Sequence, residues 1–126
     1  MYLERSGATD PDALAFRGFL SESSGELSKA MALYEQAIKL DPEQVAAAVN
    51  LGNLYAKRND ERKAIPLWRQ ALNASPGLAS VQLSLAVAEY RTGDVATAER
   101  DLEKLLELNP AAKSARRLLE QIRARH

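Results

Sequence analysis

Residues 45–78 read VAAAVNLGNLYAKRNDERKAIPLWRQALNASPGL, and their reading decides the fold. Leu51 and Leu54 stand a helical step apart on one amphipathic run, and Leu72 lies on a second. Between the runs is Asn59, a residue type that tolerates the left-handed backbone conformation with which helices end. Asp60 follows, placing negative charge where a second helix begins and its dipole is positive. Ser75-Pro76 closes the second run, because the residue before proline disfavours helix and proline cannot donate to the preceding turn. The stretch predicts two helices joined by a tight turn. Pro66 falls inside the second helix, near its first turn; it removes one backbone hydrogen bond and is expected to be tolerated there.

Working outward, the same residue types return every 34 positions. Pro42, Pro76 and Pro110 form one series, and Ala30, Ala64 and Ala98 a second. Gly18, Gly52 and Ala86, then Tyr34, Trp68 and Leu102, then Gly25, Asn59 and Gly93 keep the same step. A period of this length marks stacked supersecondary units, each too small to bury its apolar face alone. Glu26 and Asp94 repeat the helix-start charge of Asp60. The two small-residue columns put Gly or Ala on facing helices and predict an approach of about 8 Å. Leu51, Leu54, Leu72, Leu85, Leu106 and Leu108 are expected to fill the space between helices.

The pattern resembles the tetratricopeptide repeat family, whose repeat runs through a large residue, Leu-Gly, Tyr, Ala, an aromatic, Ala and Pro. Residues 45–78 match it with Leu51-Gly52, Tyr55, Ala64, Trp68, Ala71 and Pro76, departing only at Ala48. Residues 79–112 keep Leu85, Ala86, Ala98, Leu102 and Pro110, with Gln82, Glu89 and Leu105 at three departing positions. Residues 11–44 keep Gly18, Ala30, Tyr34, Ala37 and Pro42, with Arg17 and Ser21 where Leu and Tyr are usual. The resemblance implies an all-α fold: a right-handed superhelical stack of antiparallel helix pairs, three repeats plus a C-terminal capping helix. The expected division is one domain over 1–126, with repeats at 11–44, 45–78 and 79–112 and the cap at 113–126. In the cap, Leu118, Leu119 and Ile122 share one face and Arg116, Arg117, Arg123 and Arg125 surround it, as the end of a solenoid requires. Residues 2–9 align with 33–40, so residues 1–10 read either as the remnant of an earlier repeat or as a leader. In the first case the helix that follows exposes an apolar face, and self-association through the N-terminal end is expected.

Composition narrows the function. The chain holds 17 basic and 17 acidic side chains, and zero net charge argues against non-specific nucleic-acid binding, which needs many phosphate contacts. No run approaches the roughly 18 apolar residues of a membrane span, so direct membrane insertion is not expected. There is no cysteine, which fits a cytoplasmic or a periplasmic setting equally and leaves the compartment open. The single histidine is His126, so no zinc site and no nucleophile–base pair can be assembled from the usual residues. The glycines punctuate the repeat and form no phosphate loop. No cofactor and no enzymatic activity are expected.

What remains is binding of a protein or peptide partner. Stacked two-helix repeats curve, and their inner helices line a concave surface. The resemblance places groove-facing side chains at fixed positions of each first helix. Carried over, these are Ala15, Phe16, Phe19 and Glu22; then Val49, Asn50, Asn53, Ala56 and Lys57; then Leu83, Ser84, Val87, Tyr90 and Arg91, with Arg117 and Gln121 from the cap. The strongest candidates are Phe19, Val49, Asn50, Asn53, Lys57, Leu83, Val87, Tyr90 and Arg91. Asn50 and Asn53 share a helix face, and an amide can both donate to and accept from a peptide backbone. Family members that grip the acidic tails of heat-shock chaperones use clustered cations; the matching positions here are Ala15, Phe19, Asn50, Ser80 and Ser84, so that clamp is absent. On this reading Asn53→Ala or Tyr90→Ala abolishes capture while Arg69→Ala, taken as outward-facing, does not. The structural alternative is a self-assembling scaffold built by end-to-end or edge packing of the array.

Overall fold

The computed structural model describes residues 10–125. The two readings of residues 2–9 lie outside that range. Among the described residues there are seven helices and no strand. They are α1 (Pro11–Ser23), α2 (Leu27–Leu40), α3 (Val45–Lys57), α4 (Glu61–Ala74), α5 (Ala79–Arg91), α6 (Val95–Leu108) and α7 (Lys113–Arg125). α1/α2, α3/α4 and α5/α6 form antiparallel pairs that stack into a superhelical array, and α7 packs on α6.

The turns inside the pairs form as the sequence predicts. Gly25, Asn59 and Gly93 all have positive φ, at 81°, 62° and 95°, the region where glycine and asparagine meet the least steric penalty. The acidic column behind them acts less uniformly than expected. Only Asp94 caps its helix, its Oδ1 accepting from the Thr97 N–H at 3.4 Å. Glu26 and Asp60 make no side-chain cap bond; they pair with Lys29 and Lys63 at 3.7 and 3.9 Å and act through charge alone. Asp10 caps α1 by accepting from Asp12 N–H, with Pro11 at the first helical position. α4 runs through Pro66 without a break.

The small columns do something more specific than bring two backbones together. A Cβ added to Gly18 would stand 2.6 Å from Tyr34 Cε1, and one added to Gly52 would stand 2.5 Å from Trp68 Nε1. Each glycine is therefore the floor on which the aromatic ring of the partner helix lies. In the third pair the ring is replaced by Leu102, and Ala86 takes the glycine's place with both residues fully buried. Ring-on-glycine and leucine-on-alanine fill the same gap.

The core is a line rather than a ball. One cluster joins Leu14, Met31, Tyr34, Ala47, Leu51 and Leu54 across α1 to α3. A second joins Ala64 and Trp68 to Val81, Leu85 and Ala88. A third joins Leu102 and Leu105 to Ala115, Leu119 and Ile122 of α7. Leu108 departs from expectation: it is 70% exposed and fills no interface. Its column, Leu40, Ala74 and Leu108, is exposed in all three pairs, because each is the last helical residue before the chain turns away at the following proline. Leu72 and Leu106 are half-buried.

Candidate functional site

α1, α3 and α5 line one face of the stack and α2, α4 and α6 the other. The first face is the inner one of a curved helical-pair array. On it, Leu83, Val87 and Arg91 of α5 meet Ala56 of α3 around a cavity of about 270 Å³, with Trp68 and Glu61 of α4 behind. A second hollow of about 210 Å³ lies between the starts of α5 and α7, beside Ser80, Lys113 and Ser114. Leu83 borders both, so the two form one trough along α5.

Charge is arranged along one edge of that trough. Lys57 and Arg91 are the last residues of α3 and α5, 34 positions apart, and Arg125 ends α7 at the same step. All three are exposed. Arg91 Nη1 lies 3.4 Å from Glu61 Oε1, an ion pair that is water-exposed on the arginine side and therefore weak enough to exchange.

The two asparagines are more constrained than their sequence position suggests. Asn53 Oδ1 accepts from the Trp68 indole N–H at 3.2 Å, which satisfies the ring over Gly52 and leaves the amide nitrogen for other partners. Asn50 stands beside the Tyr34 hydroxyl, which donates to Glu22 Oε1 at 2.8 Å. Burial, and then the Glu22 carboxylate, hold the Tyr34 hydroxyl well above its ordinary pKa, so it stays a donor at all ordinary pH.

The remaining candidates divide. Phe16 and Phe19 are 61% and 51% exposed, in the columns of Asn50 and Asn53, and extend the same face. Val49 and Tyr90 are half-buried and pack against the second and third core clusters, so part of each side chain serves the core. Ala15 is buried in the first cluster and cannot face a groove. Arg69 is no neutral outward residue: its Nη2 donates to the buried Glu89 carboxylate at 2.8 Å. Glu61, Trp68 and Ala88 also line the cavity but were not among the sequence candidates; the first two lie on the paired helix, outside the positions read as groove-facing.

The fold and the lined inner face define a helical-repeat scaffold of stacked pairs. Family models described as TPR repeat and Tetratricopeptide repeat match residues 23–59 and 83–124, and the chain belongs to the tetratricopeptide repeat family. It is 30% identical over 98 residues to the peroxisomal targeting signal receptor of Komagataella phaffii, covering 78% of this chain and 17% of that one. A structure of MamA matches with a TM-score of 0.85 at 24% identity, over 98% of this chain and 69% of that chain. The first TPR of Spaghetti (RPAP3), bound to an HSP90 peptide, matches with a TM-score of 0.78 at 19% identity, over 93% of both chains. At these identities the structural likeness establishes the fold. This chain spans about half or less of the length of the curated relatives it matches.

Proposed function

We propose that this chain is a non-catalytic interaction module that holds a partner peptide or helix in the trough lined by Phe19, Val49, Asn50, Asn53, Lys57, Leu83, Val87, Tyr90 and Arg91. The observation that carries the reading is the cavity between α3 and α5. Apolar side chains of both helices stand open on the inner face there, with a cation at the lip. An apolar anchor of the partner fills the space beside Leu83, Val87 and Ala88, which releases ordered water. The edge formed by Lys57 and Arg91 favours acidic residues flanking that anchor. Relatives of the same fold, including the RPAP3 domain solved with a chaperone peptide, support peptide capture as a mode. The clamp residues for a terminal carboxylate are missing here, so the partner is read along its side chains rather than by its end.

A displayed library of 15-residue segments, selected against the full chain, tests the reading. Selected sequences should carry apolar anchors with acidic flanks. Val87→Asp and Lys57→Glu should each weaken them at least tenfold, whereas Lys39→Ala, on the exposed outer helix α2, should leave them unchanged. Ligands indifferent to Val87→Asp would overturn the proposal. Packing of one array on another through the N-terminal end finds less support. α1 presents Leu20 to solvent there, but Arg17 occupies the column that Leu51 and Leu85 fill with buried apolar side chains.

A further inference from the structure

The chain has two phenylalanines, and both stand more than half exposed on α1. Rings left open in this way add little to the core, and an apolar patch on a soluble surface marks a place where something docks. With Asp12 and Glu22 the two rings form a stripe at steps of four, three and three residues along one helix face, about 15 Å long. The stripe faces the trough. Further along the array its four columns hold Ser80, Ser84, Val87 and Ala56, and all of these line the two inner hollows.

The first pair differs from the others in every one of these columns. The second pair sets Ala46, Asn50, Asn53 and Ala56 there, and the third is uncharged there too. Only the first brackets two rings with two carboxylates. Both carboxylates are held in place without being neutralised. Asp12 Oδ1 accepts from Gln44 Nε2 at 2.9 Å, and Glu22 Oε1 accepts from the Tyr34 hydroxyl at 2.8 Å. These donors are neutral, so the position is fixed and the charge remains. Among the described residues no ion pair reaches either carboxylate, and Arg17, the one cation of α1, lies in the junction column of Leu51 and Leu85. At the far end of the trough the sign reverses: Lys113 borders the hollow beside α5, and Arg117 and Arg125 of α7 continue the columns of Leu83 and Arg91.

We propose that the stripe Asp12, Phe16, Phe19 and Glu22 docks a basic, apolar-centred segment of the partner. An apolar residue of that segment lies on the rings, and flanking Arg or Lys side chains reach the two carboxylates. The long stems of Arg and Lys cover the rings, their cations are drawn to the negative ring faces, and charge-assisted hydrogen bonds form at both ends of the stripe. An acidic segment would meet two carboxylates and no cation there, so it is turned away. Together with an acid-flanked anchor at α5, this makes the partner bipolar. Its basic end lies on α1 and its acidic end toward α5 and α7, so the order of its charges sets its direction in the trough. That direction rests on the function proposed above, whereas the α1 site can be tested by itself.

Phenylalanine-selective isotope labelling of the full chain reports on this site alone by NMR, because both rings belong to it. Titration with acetyl-Arg-Leu-Arg-amide should shift both ring signals, and acetyl-Glu-Leu-Glu-amide should leave them in place. Asp12→Asn combined with Glu22→Gln keeps the acceptors for Gln44 and Tyr34 and removes the charge; it should weaken the basic peptide at least fivefold. Raising the salt from about 0.05 to about 0.5 M should have a similar effect. An equal response to both peptides, or binding of the basic one that survives the paired substitution, would overturn the inference. So would ring shifts that grow with protein concentration alone, since they assign the patch to a second copy of this chain. Among the selected 15-residue ligands, those weakened by Val87→Asp should also be weakened when their own basic residues are replaced by Gln. Ligands that need Val87 yet carry no basic end would overturn the bipolar partner and leave the trough's proposed function standing.

Discussion

The two junctions inside the array share a backbone plan and differ in filling. Between the first and second pairs, Tyr55 reaches Glu35, and the Gln70 amide closes on the Pro42 carbonyl. Between the second and third, the same columns hold Glu89, Arg69 and Lys104, with Asp101 alongside, around an open cavity. Helix placement is thus set by the short residues at turns and ring floors, which repeat every 34 positions. Junction chemistry is free to diverge, because neighbouring pairs are held by nearest-neighbour contacts alone. Local properties of one junction, such as stiffness and pH response, can change without changing the fold.

The sharpest test of the shared plan is Gly52→Val. A side chain there is driven into Trp68, and a rigid ring on a packed helix has nowhere to move; urea denaturation should show a loss of about 3 kcal/mol. Gly52→Ala combined with Trp68→Leu, which reproduces Ala86 and Leu102 of the third pair, should be more stable than the sum of its single changes. That coupling is the signature of one shared site. Simple additivity would break the equivalence drawn between the pairs.

The difference between junctions should appear next in pH dependence. Glu89 has a folded pKa raised above its unfolded value, so the folded state favours the protonated form. Nothing is lost below about pH 4.5; stability then declines as pH rises toward 7 and stays reduced above it. The span corresponds to about 3 kcal/mol. Glu89→Gln should accordingly stabilise the chain at pH 8 and leave it little changed at pH 4.5. Equal effects at both pH values would remove the contrast with the first junction.

A smaller effect separates structural from binding roles in the trough. Asn53→Ala leaves the Trp68 N–H without its acceptor and should cost about 1 kcal/mol, with a changed tryptophan emission. An unchanged stability would return Asn53 to a purely ligand-facing role. Smallest of all is Arg123→Ala. Its pairs with Glu99 and Glu103 are solvent-exposed, and its removal should move stability by no more than about 0.5 kcal/mol.

The fold was legible because its determinants are local. Asn59 ends a helix by its own conformational range, and Pro76 prevents continuation whatever surrounds it. The pairing of Gly52 with Trp68 was partly legible: both columns stand out, but their contact needs the crossing of two helices. The buried bridge from Arg69 to Glu89 was hidden, although Glu89 stood out as a departure from the repeat. A charged residue on a helix reads as solvated unless the partner across the junction is known, and Arg69 lies 20 positions away. The same limit made Arg69 look like an outward control and Leu108 look like filling. Groove candidates on one helix could be read from its periodicity, whereas Glu61 comes from the neighbouring helix and carries no signal in its own surroundings.

The central claim is that the inner face, between α3 and α5, is where a partner lies. A photoreactive phenylalanine analogue placed at Val87 on the inner wall, or at Asn73 beside the outer cavity, tests it in the native cell. The account predicts a discrete cross-linked partner from Val87, mapped to an apolar side chain with acidic neighbours, and none from Asn73. Cross-linking from Asn73 with silence at Val87 would contradict it.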